Sequence, residues 1–115
     1  MKIKNLEKIK KEIVEALMPI KPEKIILFGS YAQGNPSEDS DIDLYVVTND
    51  DFIPQSWSEK SRIHLRVANK MQQILRKYPT DLLTHTKAMH KKFIELRSSF
   101  SKDILQEGIT IYEAN

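Results

Sequence analysis

The sequence predicts a small α+β (α/β) domain, a mixed sheet of three to four strands covered by helices. Three observations predict it. Stretches with apolar residues every three or four positions alternate with short β-branched runs. Clusters of Gly, Pro, Asn, Asp and Ser separate the two kinds of segment. The chain has 115 residues, 40% hydrophobic and 30% charged, enough for one core without staples. One domain over 1–115 is expected.

Ile3, Leu6, Ile9, Ile13 and Leu17 predict an amphipathic helix over 3–18, its lysines on the solvated face. Pro19 and Pro22 end it. "KIILF", 24–28, is a short apolar strand that runs into Gly29. Ser30–Gln33 has room for one helical turn, and "GNPSEDS" is a loop by its turn residues. "DIDLYVV", 41–47, is a second strand. The helical period returns over 57–77 with Ile63, Val67, Met71 and Ile74, and Pro79 stops it. "TDLLTHT", 80–86, is a third strand. Met89, Phe93, Leu96, Phe100 and Ile104 predict one long helix, with Gly108 as its C-terminal cap. "ITIYE" is a last strand. This order places the helices on one side of the sheet.

Composition excludes several classes. The sequence contains no apolar run near the ~18 residues of a membrane span. The basic N-terminus lacks the apolar core of a signal peptide. Zero cysteines exclude disulfides and thiolate metal sites. A cytoplasmic protein without a membrane partner is expected. A net charge of +2 is too small to argue for direct nucleic-acid binding.

The chemistry concentrates in "LFGSYAQGNPSEDSDIDLYVV", Leu27 to Val47. Asp41 and Asp43 are two apart at a strand start, so both carboxylates project from one face, with Ile42 and Leu44 on the other. Held side by side they repel each other, and a divalent cation would relieve the repulsion. An Asp-x-Asp at a strand start is also a common solvated turn. An EF-hand loop fails, because Leu44 stands at its turn glycine and Asp50 at its terminal Glu. Walker A and GxGxxG patterns are absent. Upstream, Gly29 permits close backbone approach to a ligand. Ser30 opens a short helix with a hydroxyl and free N–H groups that suit phosphate. Glu38 and Asp39 read as solvated loop residues. Asp50 and Asp51 lie past the far end of strand two.

Gly29-Ser30, ten residues, then Asp41-Ile42-Asp43 resembles the motif of the DNA polymerase β-like nucleotidyltransferase superfamily. The surrounding "FGSYAQG…SDIDLYVV" is similar to its minimal nucleotidyltransferase (MNT) branch, over most of the chain. The resemblance implies the nucleotidyltransferase fold and a third metal-binding carboxylate entering strand three, where Asp81 stands. It implies that Asp41, Asp43 and Asp81 are catalytic and bind two Mg²⁺, and that Gly29 and Ser30 hold the ATP phosphates. Asp81 would also help deprotonate the acceptor hydroxyl. MNT proteins commonly pair with a helical HEPN toxin. The implied function is therefore an antitoxin of a type VII-like toxin–antitoxin system, transferring AMP from ATP to a tyrosine of that partner. A contact-only antitoxin and a small-molecule (aminoglycoside-like) nucleotidyltransferase are the alternatives. Larger members add an acceptor-binding domain, which these 115 residues leave no room for.

One position departs from the family. Gln33 stands where Arg is frequent, which predicts a weaker hold on phosphate unless Lys60, Arg62 or Arg66 substitutes. His64, His85 and His90 lack metal spacing and read as packing or surface residues. Trp57 reads as a cap on the core, with base stacking as the other use.

Overall fold

The two β-branched runs that flank the acidic knot pair with each other. A computed structural model gives the fold of residues 6–115; Ile3, predicted to open the first helix, lies outside the described residues. Helix α1 (Leu6–Leu17) passes through a 3₁₀ turn (Met18–Ile20) into strand β1 (Lys24–Phe28). The short helix α2 (Ser30–Gln33) and a loop lead to β2 (Ile42–Val47). Helices α3 (Trp57–Lys70) and α4 (Gln72–Lys77) return the chain to β3 (Thr80–His85). Helices α5 (Lys87–Leu96) and α6 (Ser99–Glu107) precede β4 (Ile109–Glu113).

The sheet has the order β3-β2-β1-β4. β1 is antiparallel to β2 and β4, whereas β2 and β3 run parallel. It is the expected mixed four-stranded α+β sheet. The one-sided cover is not observed, because helices cover both faces. Alternation along each strand divides the apolar residues between two cores. On one face Ile25, Leu27, Ile42, Leu44 and Val46 meet Ile9, Ile13 and Leu17 of α1, with Val67, Met71 and Ile74. On the other face Ile26, Tyr45 and Val47 meet Phe93 of α5 and Ile104 of α6.

Both long predicted helices are broken. The 57–77 segment bends at Met71, whose φ and ψ are −100° and 12°. Met71 is itself fully buried, so the apolar period runs through the break without a trace. The final helix breaks at Arg97, in the left-handed region at φ 50°. Ser98 then caps α6, its hydroxyl accepting from Ser101 N–H at 3.1 Å. The break turns Leu96 out of the expected core stripe to 73% exposure. Gly108 is the cap expected, donating to the Ile104 carbonyl at 3.0 Å. Its backbone is extended, so glycine is needed there for room: a Cβ would meet Ile26 Cγ2 at 2.6 Å.

The histidines pack as expected. The buried Tyr45 hydroxyl lies 3.0 Å from His85 Nδ1 and 2.7 Å from His90 Nδ1. One hydroxyl has a single proton, so one imidazole donates to Tyr45 and the other accepts from it. Burial first, then Lys60 and His90, pushes His85 down to about 4. Trp57 does not cap the core. It opens α3 at 82% exposure, while Ser56 provides the N-cap by accepting from Glu59 N–H at 3.1 Å.

Candidate active site

The site is built where β1 ends and β2 and β3 begin. Antiparallel pairing sets Phe28 of β1 beside Asp43 of β2, and parallel pairing sets Asp43 beside Asp81 of β3. Asp43 has the parity of Tyr45, so it projects on the α5–α6 face, as does its register partner Asp81. Ile42 and Leu44 point into the opposite core. Asp41 precedes the strand, so the alternation behind the one-face reading of Asp41 and Asp43 does not extend to it, although its charge reaches Asp43. Asp41, one residue before β2, is exposed, as is Asp81, whereas Asp43 is half-buried.

The electrostatics report the grouping. Burial, then the Asp81 charge, then the Asp41 charge hold the Asp43 carboxyl above the usual carboxylate range. A cation among these oxygens would offset all three effects, and an all-carboxylate donor set suits a hard ion such as Mg²⁺. Asp43 and Asp81 share one end and one face of the sheet, with Asp41 next to the strand start, yet among the described residues no three acidic or imidazole groups close around a common point.

Gly29 is required twice over. Its φ of 75° and ψ of −156° lie where only glycine is comfortable. A Cβ added there would overlap the Asp43 carboxylate. The close approach read from the sequence is thus first an approach to Asp43. The Gly29 carbonyl then accepts from Ala32 and Gln33 N–H, both at 3.1 Å, which sets Ser30 at the start of α2. In the loop, Ser37 N–H donates to Ser40 Oγ at 2.8 Å and Ser40 N–H to the Ser37 carbonyl at 3.2 Å. That turn aims the chain into β2 while Glu38 and Asp39 remain exposed.

The substitute cations are elsewhere. Arg66 pairs with Asp50 beyond the far end of β2. Burial raises the Asp50 pKa, but the Arg66 and Thr48 hydrogen bonds outweigh it and hold the carboxyl low. Arg62 lines a hollow beside the same pair, and Lys60 lies next to Leu83 and Thr84. Gln33 instead donates to Glu107 Oε2 at 3.2 Å, tying α2 to the end of α6. Glu107 was not readable as a neighbour of the motif, since it lies at the far end of the sequence and within no pattern.

The family profile described as polymerase beta, nucleotidyltransferase matches residues 7–115. The chain belongs to this nucleotidyltransferase family. A relative from Methanocaldococcus jannaschii, "Putative protein adenylyltransferase MJ0604", is 33% identical over 113 residues, 94% of this chain and 99% of that protein. Solved structures share the fold. A toxin–antitoxin complex with AMP-PNP contains a chain of TM-score 0.61 and 21% identity, over 92% of this nucleotidyltransferase and 74% of that chain. A tri-AMPylated Shewanella oneidensis HEPN toxin with its MNT antitoxin gives 0.51 and 17%, over 96% and 74%. Among the described residues no helix is long and apolar enough to cross a membrane.

Proposed function

We propose that this nucleotidyltransferase is a Mg²⁺-dependent protein adenylyltransferase that acts in the cytoplasm as a single minimal domain. Its acceptor is a tyrosine of a HEPN-type toxin, and the modification makes the chain an antitoxin of a type VII-like system. The observation that carries this reading is the row Asp81–Asp43 in register across β3 and β2, with Asp41 beside it and Gly29 packed against Asp43. The relative named as a protein adenylyltransferase supports the reaction class. The toxin–antitoxin complexes of the same fold support the partner.

Asp41, Asp43 and Asp81 would hold two Mg²⁺, which when bound neutralise triphosphate charge and polarise the α-phosphate. Gly29 and Ser30 bind and orient the β- and γ-phosphates through backbone N–H groups and the Ser30 hydroxyl. Asp81 accepts the proton of the tyrosine hydroxyl. The phenolic oxygen then bonds to the α-phosphorus, the bond from that phosphorus to the bridging oxygen breaks, and pyrophosphate leaves. The protein contributes positioning and electrostatics rather than covalent chemistry.

The test combines α-labelled ATP, Mg²⁺ and a HEPN-type partner, with mass analysis of the partner. Wild type adds the mass of AMP to it, and Asp41→Asn with Asp43→Asn adds none. A stable complex without mass gain, neutralised equally by the double variant, refutes catalysis and leaves a contact-only antitoxin. Label on small hydroxyl compounds alone identifies a small-molecule enzyme.

A further inference from the structure

The strand that contributes Asp81 is also an outer strand. Among the described residues β3 has a neighbour, β2, on one side only. Sheets ordinarily protect such an edge with lysine, proline or a covering segment, because its unpaired N–H and C=O groups recruit another strand. Between Asp81 and His85 this edge carries Leu82, Leu83 and Thr84 instead. Beside it α3 presents Trp57, 82% exposed, and Leu65, 56% exposed. With Lys60, His64, Leu82 and Thr84 they line an open groove of about 500 Å³. None of the residues lining it is acidic, and Lys60 makes it positive. The other outer strand, β4, meets β1 at Ile109–Leu27 and carries none of the three carboxylates.

We propose that the β3 edge takes an extended segment of the acceptor protein as an added strand, which sets its tyrosine beside Asp81 and an apolar side chain in the Trp57–Leu65 groove. This rests on the protein-adenylyltransferase reading above. The two faces of the edge require the arrangement. Asp81 projects on the α5–α6 face, whereas Leu82 belongs to the core beneath α1 and α3. Side chains of an added strand alternate in the same way. A tyrosine on the Asp81 side therefore has its first and third neighbours on the groove side. The acceptor segment carries a large apolar residue at one of those odd offsets, and an acidic residue that answers Lys60.

The probe is a set of peptides with one central tyrosine and one phenylalanine moved stepwise along either side, incubated with wild type, Mg²⁺ and α-labelled ATP. Transfer is expected to favour odd over even offsets about tenfold, the effect of one buried aromatic anchor. Trp57→Ala with Leu65→Ala removes that preference through KM, while Mg²⁺·ATP binding is kept; both side chains are exposed, and circular dichroism checks the fold. Odd-offset peptides also slow amide exchange over 80–85. Transfer without odd–even preference, or with a preference the double variant retains, overturns the edge inference and leaves the adenylyltransferase reading standing. A dimer whose β3 amides are protected without peptide overturns it in favour of a second copy of the chain. Transfer to no peptide and no protein refutes the adenylyltransferase reading, and the edge inference with it.

Discussion

Replacing Gly29 by alanine adds one methyl group at the most constrained point of the candidate site. Two costs follow from the geometry. At φ 75° and ψ −156° an L-residue is strained by about 1–3 kcal/mol. The new methyl also overlaps the Asp43 carboxylate and lies 3.1 Å from Asp43 Cγ. Asp43 must leave its rotamer, for about 1 kcal/mol more. The sum, about 2–4 kcal/mol, is a large part of the ~5–15 kcal/mol that stabilises a domain. Urea denaturation of Gly29→Ala, Asp43→Ala and the pair measures both parts. Asp43→Ala removes the overlapping carboxylate and keeps its Cβ, an ordinary contact at 3.4 Å. The overlap cost therefore vanishes in the pair while the backbone cost stays, giving a coupling of about 1 kcal/mol. A single-variant loss below about 0.5 kcal/mol, or strict additivity, refutes the reasoning.

Three further outcomes are expected. The raised pKa of Asp43 means that its ionisation opposes folding, so stability is lost as pH rises from the ordinary 3.8 through the raised value. Asp43→Asn should therefore stabilise the chain near neutral pH by up to about 1 kcal/mol after solvent screening, read as a Tm rise of a few degrees, while abolishing transfer. His85 behaves oppositely: its folded value, about 4, lies below the ordinary 6.5. Its contribution is present above 6.5 and lost as pH falls towards 4, an acid limb in a pH–stability profile that His85→Gln reduces. Arg97→Gly relieves a left-handed backbone at φ 50° and should add about 0.5–1 kcal/mol in thermal denaturation, since glycine accepts that region freely.

The strands were legible because their signals are local. "KIILF" and "IDLYVV" are β-branched and bounded by turn residues, and β1 spans the predicted residues while β2 begins one residue later than predicted. The apolar period marked the helical segments but concealed both breaks. Met71 is a core residue on either side of its bend, and the break at Arg97 leaves only a Ser98 cap as its sign in sequence. Trp57 read as a cap on the core, yet both it and Leu65 are exposed. Their exposure depends on how α3 lies against β3, which periodicity does not specify.

By itself the sequence determined the strand that holds Asp43 and the alternation that separates Asp43 from Ile42 and Leu44, because a strand's side chains alternate whatever surrounds it. It also marked the glycine-serine break after the first strand, because glycine and serine punctuate an apolar run. Tertiary structure alone decided that Asp81 stands level with Asp43, since the parallel β2–β3 register depends on how the connecting helices α3 and α4 pack against the face of the sheet. It alone decided that Gln33 reaches Glu107, that Arg66 is engaged by Asp50, and that among the described residues the edge beside Asp81 has no further strand. Each of those is a distance between residues remote in the chain, and only packing of both cores sets such distances.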